Sequence, residues 1–322
     1  MKILDRIFGS GWFYVISSDP MIVISYENDL LKNFQKVREY FPKDKKVYFL
    51  IQSGWNQETR ERVLDLKDKF GKAITEDRFK PVFLANSLKA ESLLLEHGFT
   101  AHFCHQNAFL DESRYKVLKT ARKDYDAIYI ARITPFKRHL LAKKIKSLLL
   151  IGDHSPHEED YFRSVMPELS HAVWKKSVAS ANISKYINQA GVGLCLSEEE
   201  GAMYVSAEYL LSGVPVVNTP NMGGRDAFLS EDNSIVSEDN EAAVKDSVAA
   251  LIRRNIDPDL IREKTIQRFQ VHRNKFKSIV QDIYDKESVK KIFNDEWDKV
   301  FIHKFGLRLS RLDTFFLKLG FR

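Results

Sequence analysis

Short apolar segments alternate with helix-forming segments along the first part of the chain. The apolar segments are too short to be helices and are rich in β-branched and aromatic residues, which is typical of strands. Helical segments lie between them near 28–41, 57–70 and 87–97. The alternation predicts a parallel sheet with helices on its faces. The predicted strands are "WFYVIS", "MIVIS", "KVYFLI", "PVFLAN" and "TAHFC".

A charged segment, Asp111–Asp126, carries no strand pattern and is typical of a connection between domains. The strand and helix alternation then resumes. Since 322 residues exceed what one hydrophobic core usually holds, we expect two α/β domains, at 1–117 and 118–287, followed by a helical segment at 288–322. The predicted strands of the second domain are "AIYIAR", "SLLLIGD", "AVWKK", "GVGLCLS" and "VPVVNT".

Two carboxylates, Glu200 and Glu208, follow the predicted strand "AGVGLCLS". Residues Ser206–Leu211 are good helix formers, and Gly213 with Pro215 ends that helix. Glu200 is therefore expected just beyond the carboxyl end of a strand, with Glu208 on the next helix. In open α/β sheets this edge is where ligands bind.

Two cations, Arg132 and Lys137, follow the predicted strand "AIYIAR" at the same edge of the sheet. Arginine offers a forked pair of donors and lysine a point charge, a combination that suits a diphosphate. The alternative is a solvated basic loop.

These segments resemble a known family. "ARITPFK" is similar to the Arg and Lys pair of retaining glycosyltransferases of family 4, the glycosyl transferases group 1. "SEEEGAMYVSAEYLLSGVPVVNTPNMGG" resembles the Glu-Gly, second Glu, Gly-x-Pro-Val-Val and Gly-Gly pattern of that family. "FLANSLKAESLLLEHG", "HQNAFLD" and "LLLIGD" resemble further motifs in the family's order.

The resemblance implies a GT-B architecture, with two Rossmann-like domains facing each other across a donor cleft. Arg132, Lys137 and Glu200 would be catalytic: the two cations would neutralise the leaving diphosphate, and Glu200 would contact the donor sugar. Glu208 would hold the ribose. The other implied donor-binding residues are Gly201, Ala202, Met203, Tyr204 and Gly152, of which the first four lie at a helix start that favours phosphate.

The acceptor side is less clearly marked in the sequence. The loop "QSGWN" follows the strand "KVYFLI", so Ser53 and Gly54 are candidates to line a cleft, together with His105. The family's Gly-Gly loop after the first strand is not found, and Ala108 stands in place of the glycine that usually follows Asn107.

We therefore expect a retaining, hexosyltransferase-type enzyme that uses a nucleotide sugar and a carbohydrate or lipid-linked acceptor in surface polysaccharide or glycoconjugate biosynthesis. The alternative is a non-catalytic subunit that binds nucleotide sugars and whose acceptor domain is reduced. A dinucleotide dehydrogenase is disfavoured because no G-x-G-x-x-G follows a strand. Asp124–Asp126 imitates a metal-binding Asp-x-Asp but precedes a strand, so we interpret it as part of the connection. We expect no cofactor and no obligatory metal.

The amino-acid composition indicates the cellular compartment and the kinds of ligand that the protein's net charge would favour. With 44% hydrophobic and 29% charged residues the chain is an ordinary globular protein, and its two cysteines suit a reducing compartment, so we expect it in the cytoplasm. The net charge of +6 fits phosphate ligands or an anionic membrane, whereas the dispersed basic residues disfavour nucleic acid.

The final segment, Phe301–Arg322, places apolar residues on one helical face and basic residues beside it. This pattern predicts either an interfacial helix, which would hold the protein at the inner face of the membrane, or a helix that packs on the first domain.

Overall fold

The computed structural model describes residues 13–41 and 43–300. The described residues form two compact units: the first comprises residues 13–41, 43–109 and 270–300, and the second residues 110–269. Residues 270–287 therefore belong to the first unit, whereas the sequence pattern grouped them with the second. Within the first unit, Arg273 Nε donates to the carbonyl oxygen of Ala108 at 2.7 Å, and the rings of Phe276 and Phe109 meet edge to face at 5.3 Å.

The first unit contains a sheet with the strand order β1-β2-β3-β4-β5. Strands β2 to β5 are parallel, as the alternation predicts, but β1 runs antiparallel to β2. The expectation of an all-parallel sheet is wrong here because only Asp19 and Pro20 separate the two strands, and a parallel connection needs a crossover of about a dozen residues. The strands are β1 (Phe13–Ser18), β2 (Met21–Tyr26), β3 (Val47–Gln52), β4 (Phe79–Ala85) and β5 (Thr100–Phe103).

Three helices connect the parallel strands of this sheet: α1 (Glu27–Val37), α2 (Arg60–Ala73) and α3 (Leu88–Glu96). The hydroxyls of Thr59 and Ser87 cap α2 and α3 by accepting hydrogen bonds from backbone amides of the first turn. An aromatic cluster fills the core, and its edge-to-face contacts fix how the helices pack on the sheet. Its members include Phe34, Phe41, Phe49, Phe79 and Phe83.

The second unit contains a parallel sheet with the strand order β11-β10-β9-β6-β7-β8. Its central strands β7, β9 and β10 are nearly continuous runs of buried residues, as expected for a sheet covered on both faces, whereas the edge strands β8 and β11 are more exposed. β11 was not predicted, because its only apolar residues, Ile235 and Val236, lie between polar residues. The strands are β6 (Tyr125–Ile130), β7 (Leu148–Ile151), β8 (Val173–Lys175), β9 (Ala190–Cys195), β10 (Val216–Asn218) and β11 (Ser234–Val236).

Helices lie between these strands and after them. Both units are thus α/β and Rossmann-like, which confirms the predicted fold class. The helices of the second unit are α4 (Glu159–Val165), α5 (Ser180–Asn188), α6 (Tyr204–Leu211), α7 (Glu241–Arg254) and the first part of α8 (Pro258–Lys286). The residues of α8 from Gln270 onward, and α9 (Phe293–Val300), belong to the first unit.

None of the helices in the described part of the chain is long and apolar enough to cross a membrane. The predicted interfacial segment, Phe301–Arg322, lies outside the described residues.

Candidate functional site

The loop after β6 carries both predicted cations, and they differ in surroundings. Lys137 ends a 3-10 turn, Pro135–Lys137, and its ammonium group forms an ion pair with the Glu200 carboxylate. Its carbonyl oxygen accepts a hydrogen bond of 2.5 Å from the Tyr129 hydroxyl. Arg132 is 60% exposed and lies 3.7 Å from a Glu158 carboxylate oxygen. Lys137 is therefore held in the structure, whereas Arg132 faces solvent.

Glu200 lies in the loop after β9, the strand next to β6 in the sheet. The loop is anchored by backbone hydrogen bonds, from Glu200 N to Met222 O at 3.0 Å and from Met222 N to Glu198 O at 2.9 Å. The amide of Glu198 also donates to Phe136 O at 3.2 Å, which ties this loop to the turn that carries Lys137. The ends of two neighbouring parallel strands thus bring Lys137 and Glu200 together.

The segment between the two acids leads into α6. Met203 adopts a left-handed conformation with φ 45° and precedes the first helical residue, Tyr204. Gly201 O accepts a hydrogen bond from Gly224 N at 2.9 Å, and Ala202 is buried. The predicted residues therefore surround the amino end of a helix, where the helix dipole favours an anion.

Glu208 lies on α6 and is buried at 6% exposure. Its carboxylate accepts a hydrogen bond of 2.7 Å from the Tyr115 hydroxyl. Burial and the Glu208 charge raise the pKa of Tyr115 well above its usual value, so the phenol keeps its proton and donates a hydrogen bond to the carboxylate. Tyr115 is held in turn by Arg262, which donates to its carbonyl oxygen. Sequence reasoning missed Tyr115, which lies in the segment that we interpreted as a connection.

Gly152 lies at the end of β7, and packing alone requires a glycine there. A Cβ atom at this position would lie 1.8 Å from the carbonyl oxygen of Ala131, in the loop after β6. The amide of Gly152 donates to Lys175 O at 3.1 Å, and its carbonyl oxygen accepts from Trp174 Nε1 at 2.9 Å. The residue lets three neighbouring strand ends approach closely.

A fully buried arginine, Arg225, stabilises the same edge from within. Its guanidinium donates to the carbonyl oxygens of Ser197 and Thr219, which follow β9 and β10, and it contacts Asp226 at 2.7 Å. Because carbonyl oxygens and a carboxylate surround the charge, its burial is compensated. The sequence signal was weak: an arginine directly after the Gly-Gly pair.

The predicted acceptor-side residues all lie in the first unit. Ser53 directly follows β3 and is buried, and its hydroxyl has no hydrogen-bond partner among the described residues. Gly54 is exposed, and a Cβ atom there would meet only Asn28 Nδ2 at 3.8 Å, so nothing steric requires the glycine. His105 is completely buried: its ring accepts from Asn107 N at 3.1 Å and its amide donates to His272 Nδ1 at 3.2 Å. The imidazole of His105 is thus part of the interior of this unit.

A buried carboxylate that we did not predict, Glu27, lies beside that loop. It follows β2, and because Tyr26 pairs with Gln52 in the sheet, Glu27 and Ser53 are the next residues beyond neighbouring strands. Both of its oxygens accept from Gln57 Nε2, at 3.3 and 3.2 Å. Burial raises the pKa of Glu27 to about 7.

The comparisons with known proteins bear on the second unit most directly. Residues 131–254 match the model of the family described as glycosyl transferases group 1. Over these residues the second unit is similar to that family. The matched residues include every predicted donor-side residue, from Arg132 to Glu208. This similarity supports glycosyl transfer as the activity.

Several solved structures have a fold similar to that of most of this chain. HepE from Anabaena, in complex with UDP, is 14% identical with a TM-score of 0.51 over 77% of this chain and 78% of that chain. A sucrose-phosphate synthase from Thermosynechococcus elongatus is 12% identical in sequence and has a TM-score of 0.61. The match covers 82% of this chain and 74% of the synthase. TarM from S. aureus is 14% identical in sequence and has a TM-score of 0.59. The match covers 79% of this chain and 53% of TarM. The shared fold is GT-B. No curated protein matches the sequence significantly.

Among residues 13–41 and 43–300 there is no group of three or more His, Cys, Asp or Glu side chains arranged to hold a metal ion.

Proposed function

We propose that this protein is a retaining glycosyltransferase that moves a hexose from a nucleotide-sugar donor to a carbohydrate or lipid-linked acceptor. The observation that carries the proposal is the contact between Lys137 and Glu200 at the carboxyl ends of β6 and β9, inside the matched segment. A cation and a carboxylate held together there are suited to two adjacent parts of one ligand, a diphosphate and a sugar.

In this proposal the leaving diphosphate binds between Lys137, Arg132 and the amino end of α6. All three provide positive charge where negative charge develops as the glycosidic bond breaks, which is the largest source of stabilisation in such reactions. The exposed guanidinium of Arg132 is available to a ligand, and Lys137 is already fixed by its contacts. The chemistry needs no metal and no cofactor.

The two acids have different roles in this proposal. Glu200 accepts hydrogen bonds from hydroxyls of the donor sugar beside Lys137. Glu208 accepts from the ribose, and the hydrogen bond from Tyr115 fixes the direction of its carboxylate. Structures of HepE, which shares the fold, contain UDP and UDP-glucose, which supports a nucleoside diphosphate sugar as the donor. We further propose a role in surface polysaccharide or glycoconjugate synthesis at the inner face of the membrane.

A panel of nucleotide sugars tests the activity. We expect one donor to raise the melting temperature of the protein. With an acceptor present, the same donor should release its nucleoside diphosphate. NMR of the product should show that the anomeric configuration of the donor sugar is retained. Lys137→Ala and Arg132→Ala should lower kcat more than they weaken nucleotide binding, since both act on the developing charge. Lys143→Ala, on the surface of the same unit, is the matched control. Donor binding without transfer or hydrolysis across the panel would instead support the non-catalytic alternative.

Titration calorimetry tests the division of roles between the acids. Glu208→Ala should weaken binding of both the free nucleotide and the nucleotide sugar, because ribose is present in both. Glu200→Ala should weaken binding of the nucleotide sugar alone. Equal losses for both ligands in both variants would contradict these roles.

A further inference from the structure

Arg138, the residue after Lys137, adopts a left-handed backbone conformation, which is favourable for glycine, tolerated by asparagine and aspartate, and unfavourable for arginine. Its φ and ψ are 52° and 48°, in the left-handed region. An L-residue rarely occupies this region unless surrounding contacts hold it there. The Arg138 side chain is only 19% exposed, which indicates that such contacts exist.

The guanidinium group of Arg138 makes contacts with three other segments. Its Nε donates to the carbonyl oxygen of Leu196 at 2.7 Å, and one Nη donates to the Thr219 hydroxyl at 2.7 Å. The other Nη forms an ion pair with Asp239. Each of the three nitrogens is therefore used.

These partners all lie just beyond strand ends. Leu196 follows β9, Thr219 follows β10 and Asp239 comes after β11, while Arg138 itself comes after β6. In the sheet these four strands are consecutive neighbours, in the order β11-β10-β9-β6. One side chain thus connects the carboxyl ends of four adjacent strands.

This connection lies directly behind the ion pair of the candidate site. Lys137 precedes Arg138 in the chain, and Leu196 begins the loop that carries Glu200. Besides this guanidinium, the two loops are linked by the hydrogen bond from Glu198 N to Phe136 O and by the Lys137–Glu200 ion pair itself. Removing the guanidinium would therefore leave the ion pair with less support. A lysine could not replace it, because an ammonium group lacks the planar fork that reaches three acceptors in fixed directions.

We propose that Arg138 is a positioning residue that holds the Lys137 ammonium in register with Glu200. The kinetic part of this proposal rests on the proposed function. The structural part does not, since it concerns only where Lys137 is held.

Arg138→Gly is the informative variant, because glycine accepts the left-handed backbone and loses only the side-chain contacts. Asn255→Gly is its matched control: Asn255 has φ 45° and ψ 50° at the end of α7 in the same unit. We expect Arg138→Gly to lower kcat by roughly tenfold to a hundredfold, as small misplacements of a catalytic group do, while KM for the donor changes by less than about threefold. Asn255→Gly should leave both unchanged.

A double-mutant cycle separates positioning from general stability. If Arg138 acts through Lys137, Arg138→Gly should cause no further loss of kcat in the Lys137→Ala background. A loss by the same factor in both backgrounds would overturn the proposal.

A measurement that does not need activity uses the reactivity of the Lys137 amine. Reductive methylation followed by peptide mass spectrometry should show Lys137 protected in the wild type and more reactive in Arg138→Gly, by about fivefold or more, because local opening exposes it. If Arg138→Gly does not fold, Thr219→Val removes one of the three contacts and should give a smaller increase. Unchanged protection of Lys137 in whichever of these variants folds would refute the positioning role. A wild type that transfers no sugar would refute the proposed function and leave the labelling result standing.

Discussion

Replacing Lys137 by methionine should destabilise the second unit by about 3 kcal/mol. The Lys137 and Glu200 side chains are only 12% and 8% exposed, so removing the cation leaves a carboxylate largely shielded from water. Breaking a buried pair in this way costs about 3–5 kcal/mol, whereas a surface pair contributes less than about 1 kcal/mol. We take the lower end because Glu200 lies in a loop and can gain some water.

The assay is thermal and urea unfolding of four proteins: the wild type, Lys137→Met, Glu200→Gln and the double variant. For a unit of this size each kcal/mol changes Tm by about 2–4 °C, so Lys137→Met should lower it by about 6–12 °C. The double variant should recover most of this loss, because glutamine carries no charge that needs the lysine.

Lys143→Met is the control, since Lys143 forms an ion pair with Glu168 at the surface of the same unit, where the side chains are 42% and 47% exposed. It should cost less than about 1 kcal/mol. If Lys137→Met costs no more than Lys143→Met, or if Glu200→Gln restores nothing, the pair is not shielded and the reasoning is refuted.

Two further predictions concern stability. Burial raises the pKa of Glu27 from 4.5 to about 7, so the stability that its protonated form contributes is complete below pH 4.5 and is lost as the pH rises through 7. Glu27→Gln should therefore stabilise the protein by about 3 kcal/mol at pH 8 and by little at pH 4 in urea unfolding, and equal effects at both pH values would contradict the assignment. Gly152→Ala places a methyl group 1.8 Å from the Ala131 carbonyl oxygen and should lower the free energy of unfolding by about 1–3 kcal/mol. Gly71→Ala in α2 is the control: a Cβ atom there has nothing within 4 Å, so this substitution should raise the free energy of unfolding slightly. A Tm for Gly152→Ala at or above that of Gly71→Ala would show that the strand ends separate easily.

The pattern of apolar residues predicted most of the strands and their order along the chain. It also placed Arg132 and Glu200 just beyond strand ends, and parallel sheets collect such residues at one edge. These features are local: a strand or a helix start depends on residues within a few positions of it, so a single sequence carries the signal.

Only the tertiary structure decided which side chains meet. Tyr115 bonds to Glu208 across 93 positions of sequence, and Arg225 is buried among carbonyl oxygens that no periodic pattern marks. The same holds for Glu27, whose pKa depends on how deeply a neighbouring strand and loop bury it. Residues 270–287 look like any amphipathic helix, yet they pack with the first unit. Contacts of this kind arise from strand order and packing between distant segments, which the chain encodes collectively and which leave no repeat in the sequence.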